Sequence, residues 1–182
     1  MTDSIFSSAS VESISNTTPI ECVIQHLKFV RRYTLSLIDD LDDEEWFDQP
    51  LAGVTHIAWQ VGHIAMSQYG LTLFRQRGRA EIDLQLMSGA FRKKFSKGTT
   101  PSANPDDYPS PREIREILNR VHQQMLVELP GFELRSLDQA IEPPHAGFAT
   151  RYGALLFASD HEMLHAGQIG LIRRLIGKQP LR

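Results

Sequence analysis

Residues 161–170 read "HEMLHAGQIG". Their first five match H-E-x-x-H, the helical pattern in which two histidines bind zinc and the glutamate activates water for peptide hydrolysis. On a helix, positions i and i+4 stand one turn apart on one face, so His161 and His165 can reach a single metal ion. Without a metal, two buried imidazoles would each need a separate polar partner. The pair therefore favours metal binding over two independent core histidines. Everything after His165 is "AGQIGLIRRLIGKQPLR", which holds no His, Asp, Glu or Cys. The extended protease form also fails, because Gln168 stands where its glycine belongs and Leu171 where its third histidine belongs. A third ligand has to come from upstream, and the protease match is accidental.

The helix that carries the pair is read from about Tyr152 to Ile176. With Tyr152 at zero and 100° per residue, Phe157, Leu164, Ile169, Leu171, Ile172, Leu175 and Ile176 fall in an arc of roughly 100° to 260°. His161 and His165 lie in the middle of that arc, Gln168 within it and Glu162 at its edge. Both imidazoles and the Gln168 amide are thus expected to face the interior. Gln168 is expected to orient a ligand. Glu162 is either a general base at the margin of the site or a solvated helix residue.

Upstream, His26 and His122 fall on the flanks of their helices' apolar stripes, where partial exposure is expected. His145 sits in the proline-rich "EPPHAGF", read as a loop, and could reach the mouth of a site. His56 and His63 share one face of a further helix, seven residues and about 10.5 Å apart. That is too far for both to enter one coordination sphere easily, and spacing does not choose between them.

Four long helical segments position these residues. The first starts at Pro19, with Ile20, Val23, Ile24, Leu27, Val30, Ile38 and Leu41 on one face. The second, about Val54 to Arg77, is apolar on most of its circumference and reads as a central, buried element. "SPREIREILNRVHQQMLVEL" opens the third with a Ser cap, a proline at the first helical position and a glutamate three residues after the Ser. The last ends at Gly177 with Arg173 and Arg174 in its final turns. Between the second and third helices, residues 78–110 form an irregular excursion with one short helix and a turn-rich surface stretch. No strand alternation, repeat or phosphate-binding glycine loop is present. The predicted fold is all-α, a four-helix bundle over residues 19–182 behind a flexible tail of residues 1–18.

Composition narrows the function classes. A chain of 182 residues can bury the core of one domain, and a net charge of −3 gives no bulk attraction to nucleic acid or anionic membranes. The single cysteine, Cys22, excludes an internal disulfide and any cysteine-based zinc cluster, and is expected as a small buried hydrophobe. The N-terminus lacks the basic residues of a signal or transit peptide, and no stretch reaches the roughly 18 apolar residues of a membrane span. A cytoplasmic protein is expected.

"GHIAMSQY" on the second helix, followed about a hundred residues later by "HEMLHAGQIGLIRR", resembles the DinB-like (DinB/YfiT) superfamily of metal-binding proteins and enzymes. The likeness runs from about Pro19 to the C-terminus and takes in the "YPSPREI" helix start. It implies a four-helix bundle, often homodimeric, with a histidine triad that binds a divalent metal. Carried onto this sequence, the upstream ligand is His63 and the pair is His161 and His165. His56 has no counterpart in the motif, which leaves it a supporting or purely structural role. Some relatives are transferases that use a low-molecular-weight thiol, and others are metal-dependent hydrolases. Related domains in thiol-histidine biosynthesis carry an acidic residue two after the second histidine, where this chain has Gly167.

Three neutral imidazoles suit Zn, Ni, Fe or Mn without choosing among them, Zn or Ni being the first expectation, and leave the open position of a catalytic site. The leading expectation is therefore a metal-dependent hydrolase or thiol transferase acting on a small molecule. The competing one is a non-catalytic binding or structural bundle, in which a closed metal site pins the helices and His56 or His145 supplies a fourth ligand.

Overall fold

The structure, a computed structural model, describes residues 17–181 except Ala52, so the expected tail lies outside it apart from Thr17 and Thr18. Thr18 caps helix α1 (Pro19–Ser36) through a reciprocal capping box, its hydroxyl accepting from the Glu21 N–H while Glu21 accepts from the Thr18 N–H. The helix stops at Ser36. Ile38 and Leu41, expected on its stripe, lie in the turns beyond it, Ile38 fully buried and Leu41 partly so. Cys22 is exposed, contrary to expectation.

Helix α2 (Ile57–Tyr69) begins three residues later than the apolar pattern suggested, because the His56 side chain caps it by accepting from the Trp59 N–H. Its path continues through a π-helical turn, Gly70–Phe74, to Arg77. Helix α3 (Pro111–Glu128) is capped by Ser110 and buries the expected stripe of Ile114, Ile117, Leu118, Val121 and Met125. Helix α4 (Arg151–Leu175) starts on the Thr150 cap, and Gly177 beyond its end takes φ +92°. Helix α2 packs most extensively on α3 and also against α4, while α1 packs on α4.

Two connections depart from the sequence reading. The excursion contains two short helices, Asp83–Leu86 and Gly89–Lys94, and buries Leu86, Met87, Phe91 and Phe95. Its first half, read as one short helix, thus forms two and adds to the core. Residues read as a loop form an antiparallel hairpin of β1 (Ala140–His145) and β2 (Phe148–Thr150) that leads straight into α4. Two prolines and a mostly exposed first strand hid this hairpin, since neither alternation nor apolar content marks it. No described helix is long and apolar enough to cross a membrane.

The largest correction concerns the rotation of α4. Its buried residues are Ala154, Leu155, Ala158, Ser159, Glu162, Ala166, Ile169, Ile172 and Arg173. On the same wheel these centre on Glu162, roughly 100° from the arc drawn through the large apolar side chains. Leu164, Leu171 and Leu175 are exposed, and His161 and His165 are half-buried on the flank. The large residues misled because α4 approaches its neighbours through alanines, and because both buried charges are paired.

Glu162 accepts from Arg31 in a two-pronged pair, Nε to Oε1 at 2.8 Å and Nη2 to Oε2 at 3.1 Å. Arg31 also donates to the Leu118 carbonyl at 2.9 Å and to Gln68 Oε1 at 2.9 Å. The Gln68 amide reaches His122 Nδ1 at 3.3 Å. Arg31, Gln68, His122 and Glu162 are all buried, so one polar network ties α1, α2, α3 and α4 together. His122, expected on a partly exposed flank, belongs to this interior. A second buried cation, Arg173, ties the end of α4 to Asp40 and the Leu37 carbonyl.

Removing one partner of a buried ion pair strands the other charge, at about 3–5 kcal/mol. Glu162→Gln should therefore lower the unfolding free energy by about that much in urea titrations, and Arg31→Met with Glu162→Leu together should recover most of it. A double variant no more stable than Glu162→Gln would contradict the charge-stranding explanation. Burial, followed by the Arg31 and Lys28 charges, lowers the His122 pKa to about 3. The unfolded chain then binds the extra proton first, so this contribution is fully present above pH about 6.5 and is lost as pH falls from there to about 3. His122→Asn, which keeps an acceptor, should flatten that acid-side loss.

Candidate metal centre

Three imidazoles converge between α2 and α4. One ring nitrogen from each of His63, His161 and His165 lies within 4.8 Å of the others, and no other His, Cys, Asp or Glu among the described residues joins them. Ring centroids are 5.2 Å apart for His63 and His161, 4.8 Å for His63 and His165, and 4.5 Å for His161 and His165.

The neighbours decide which nitrogens are available. His63 Nδ1 lies 2.7 Å from the Phe95 carbonyl, which can only accept, so Nδ1 carries the proton and Nε2 the lone pair. His165 Nδ1 bonds to Gln60 Oε1, while Gln60 Nε2 donates to Gln168 Oε1 at 2.6 Å. That chain assigns the His165 proton to Nδ1 as well. Its Nε2 then faces His161 Nε2 at 3.3 Å, a separation at which a shared proton or a cation is needed between two nitrogens. Metal-binding histidines characteristically donate the other N–H to a carbonyl or amide oxygen, as His63 and His165 do. The donor set fits a divalent metal.

Burial, with smaller contributions from neighbouring rings, lowers the pKa of His161 to about 4 and of His165 to about 3, and burial also holds His63 below its ordinary value. All three are neutral at pH 7, the form a metal requires.

Gly62 explains the G-H pair on α2. A Cβ there would come within 2.4 Å of the Phe95 ring, so only glycine lets Phe95 settle against the helix and bring its carbonyl to His63. Trp59 stacks on the His63 ring at 4.7 Å and 8°, and its indole N–H is anchored by Thr99 Oγ1 at 2.9 Å. The irregular excursion thus supplies the contacts that hold His63. Sequence reasoning missed Phe95 and Gln60. Gln60 carried a legible signal, as a polar residue three positions before His63 on a helix otherwise almost wholly apolar.

The remaining candidates lie elsewhere. Glu162 sits between the two histidines in sequence but points to the Arg31 side, buried at 1% exposure, neither at the margin nor solvated. Gln168 is exposed as a residue and touches the site through Gln60. His56, fully buried, caps α2 and packs edge-on against Tyr108 at 4.7 Å, outside the cluster. Its Nε2 faces the Ser102 backbone without a hydrogen bond of ordinary geometry. A cleft of about 310 Å³ opens beside His63 and His161, with Ser67, Phe157 and His145 on its walls.

Residues 26–169 match the family model described as the DinB superfamily. No curated protein matches the sequence. Among solved structures, a conserved protein from Enterococcus faecalis superposes with a TM-score of 0.64 at 14% identity, covering 90% of this chain and 100% of that one, a likeness of fold.

Gly62→Ala tests the close packing on α2. The added methyl should cost about 1–3 kcal/mol despite alanine's better helix propensity, and should shift the His63 ring resonances as Phe95 moves. An unchanged denaturation midpoint with unchanged His63 resonances would show that the approach is not needed.

Proposed function

The chain belongs to the DinB superfamily, and on that premise we propose that it is a metal-dependent enzyme acting on a small molecule, with His63, His161 and His165 as ligands of one divalent transition metal. The observation that supports this most is the convergence of one ring nitrogen from each of the three imidazoles, with His63 Nδ1 on the Phe95 carbonyl and His165 Nδ1 on Gln60 Oε1. We take Zn or Ni as the metal, with Fe or Mn as alternatives, since three neutral imidazoles suit each of these without choosing among them. The reaction is hydrolysis or transfer to a low-molecular-weight thiol.

A bound metal would supply Lewis-acid chemistry, lowering the pKa of a coordinated water or thiol toward neutrality. The chain's own groups do the rest. Phe95 and Gln60 hold the His63 and His165 rings in orientation, and Gln168 fixes the Gln60 amide. Trp59 and Phe157 pack against the His63 and His161 rings. The Ser67 hydroxyl, 3.3 Å from His63 Nε2, donates to that nitrogen here and would be released toward an incoming ligand once a metal takes the lone pair. Glu162 has both oxygens engaged by Arg31 and does not serve as a base. The alternative, a metal staple, needs a fourth protein ligand, and the cleft beside His63 and His161 speaks against a closed site.

We also propose a homodimer. Leu164, Leu171 and Leu175 share an outward stripe of α4 and are all exposed, which gives a second copy an apolar face to cover. Light scattering at micromolar concentration should give twice the 20.6 kDa chain mass. A monomer mass would reject the dimer without touching the metal site.

Elemental analysis of purified protein should give about one divalent metal per chain. Alanine at His63, His161 or His165 should abolish most of it, while His26→Ala should not, and Gln60→Leu should weaken affinity by about 10–100-fold. Full retention by His63→Ala would reject the ligand set.

A further inference from the structure

The cleft beside His63 and His161 has a one-sided charge. Arg75 and Lys97 line it, together with His145, and no Asp or Glu does. Arg75 is held in place without being neutralised. Its guanidinium donates to the Pro143 carbonyl at 3.2 Å and lies 5.7 Å from the Phe148 ring centroid. Two residues on, Arg77 is forked across Asp83 and Glu128. Neither Arg75 nor Lys97 forms a salt bridge with any described residue.

His145 adds a donor of the same sense. Its Nδ1 accepts the Gly147 N–H at 3.0 Å, so the neutral ring carries its proton on Nε2. Stacking on Phe148 at 4.2 Å and 19° fixes the ring plane. The walls also include Leu71, Met66 and Phe157. Such a cleft offers cationic donors over a short apolar floor, at the small end of the range for small-molecule sites, roughly 300–1,000 Å³.

Resting on the metal-site reading above, we infer that the substrate is a small carboxylate-bearing molecule whose carboxylate is held by Arg75, with Lys97 and His145 at the same rim. Arginine's planar fork matches a carboxylate, and an arginine without an acidic partner keeps that capacity free. A phosphate is less well matched. The cleft walls come from α4 around Phe157 and His161, the late turns of α2 with the π-helical turn and Arg75 beyond it, the excursion at Lys97 and the hairpin, and provide no helix N-terminus to cradle one.

Two thiols of similar size separate the inference from its premise. Cobalt-loaded protein is titrated with 3-mercaptopropionate and with 2-mercaptoethanol, read by the visible spectrum. The same titrations are repeated on protein kept metal-free with 1,10-phenanthroline, read by the guanidinium resonances of Arg75. The carboxylate-bearing thiol should bind about tenfold or more tightly than the neutral one and should shift the Arg75 resonances saturably. Arg75→Gln should erase the preference while leaving 2-mercaptoethanol binding unchanged, and Lys97→Gln should reduce it. Equal affinities, or a preference that survives Arg75→Gln, would overturn the inference, as would tighter binding of inorganic phosphate than of 3-mercaptopropionate. Arg75 shifts with a flat cobalt spectrum would instead count against the accessible metal while sustaining the carboxylate contact.

Discussion

The Arg31–Glu162 pair is the constraint on which the site depends. Two charges taken out of water are tolerable only when their hydrogen-bonding capacity is filled, and here Gln68 and the Leu118 carbonyl complete what the pair leaves. Because those partners come from different helices, the network fixes how α4 is rotated against α1, α2 and α3. With Glu162 turned inward, His161 and His165 lie roughly 100° and 60° to one side of it. Both imidazoles then emerge toward α2, where His63 waits. The glutamate of the H-E-x-x-H string is thus an architectural residue, and its burial sets where the two histidines emerge.

Orientation of the rings comes from a different source. Gly62 admits Phe95, Phe95 presents its carbonyl to His63, and Thr99 steadies the indole that stacks on the same ring. On the other side Gln168 fixes Gln60, which fixes His165. An excursion that reads as irregular in sequence, with one short helix and a turn-rich stretch, is therefore part of the site. Its aromatic residues fill the core, and its backbone polar groups find their use there.

Much of this was legible in the residues. Four long helices followed from apolar periodicity and caps, and the i, i+4 histidines announced themselves by spacing. His63 over His56 was not legible from spacing, since both share one face; the resemblance chose His63, which the structure brings to the pair. The rotation of α4 was misread because large apolar residues were taken as core, whereas Leu164, Leu171 and Leu175 face outward and the alanines face in. A wheel built on size cannot see that a buried glutamate has a partner 131 positions away. The hairpin at Ala140–Thr150 was invisible for a related reason, its pairing being set by tertiary placement beside α4 rather than by local pattern.

One network divides the motif, holding Glu162 in the interior and leaving the two histidines for the proposed metal. The direct test is a high-resolution crystal structure of the protein grown with one equivalent of zinc. Zinc is expected at about 2.0–2.1 Å from one nitrogen each of His63, His161 and His165, with Glu162 still paired to Arg31. A carboxylate oxygen of Glu162 at the metal or turned toward it, or a metal held by any other set of residues, would contradict it.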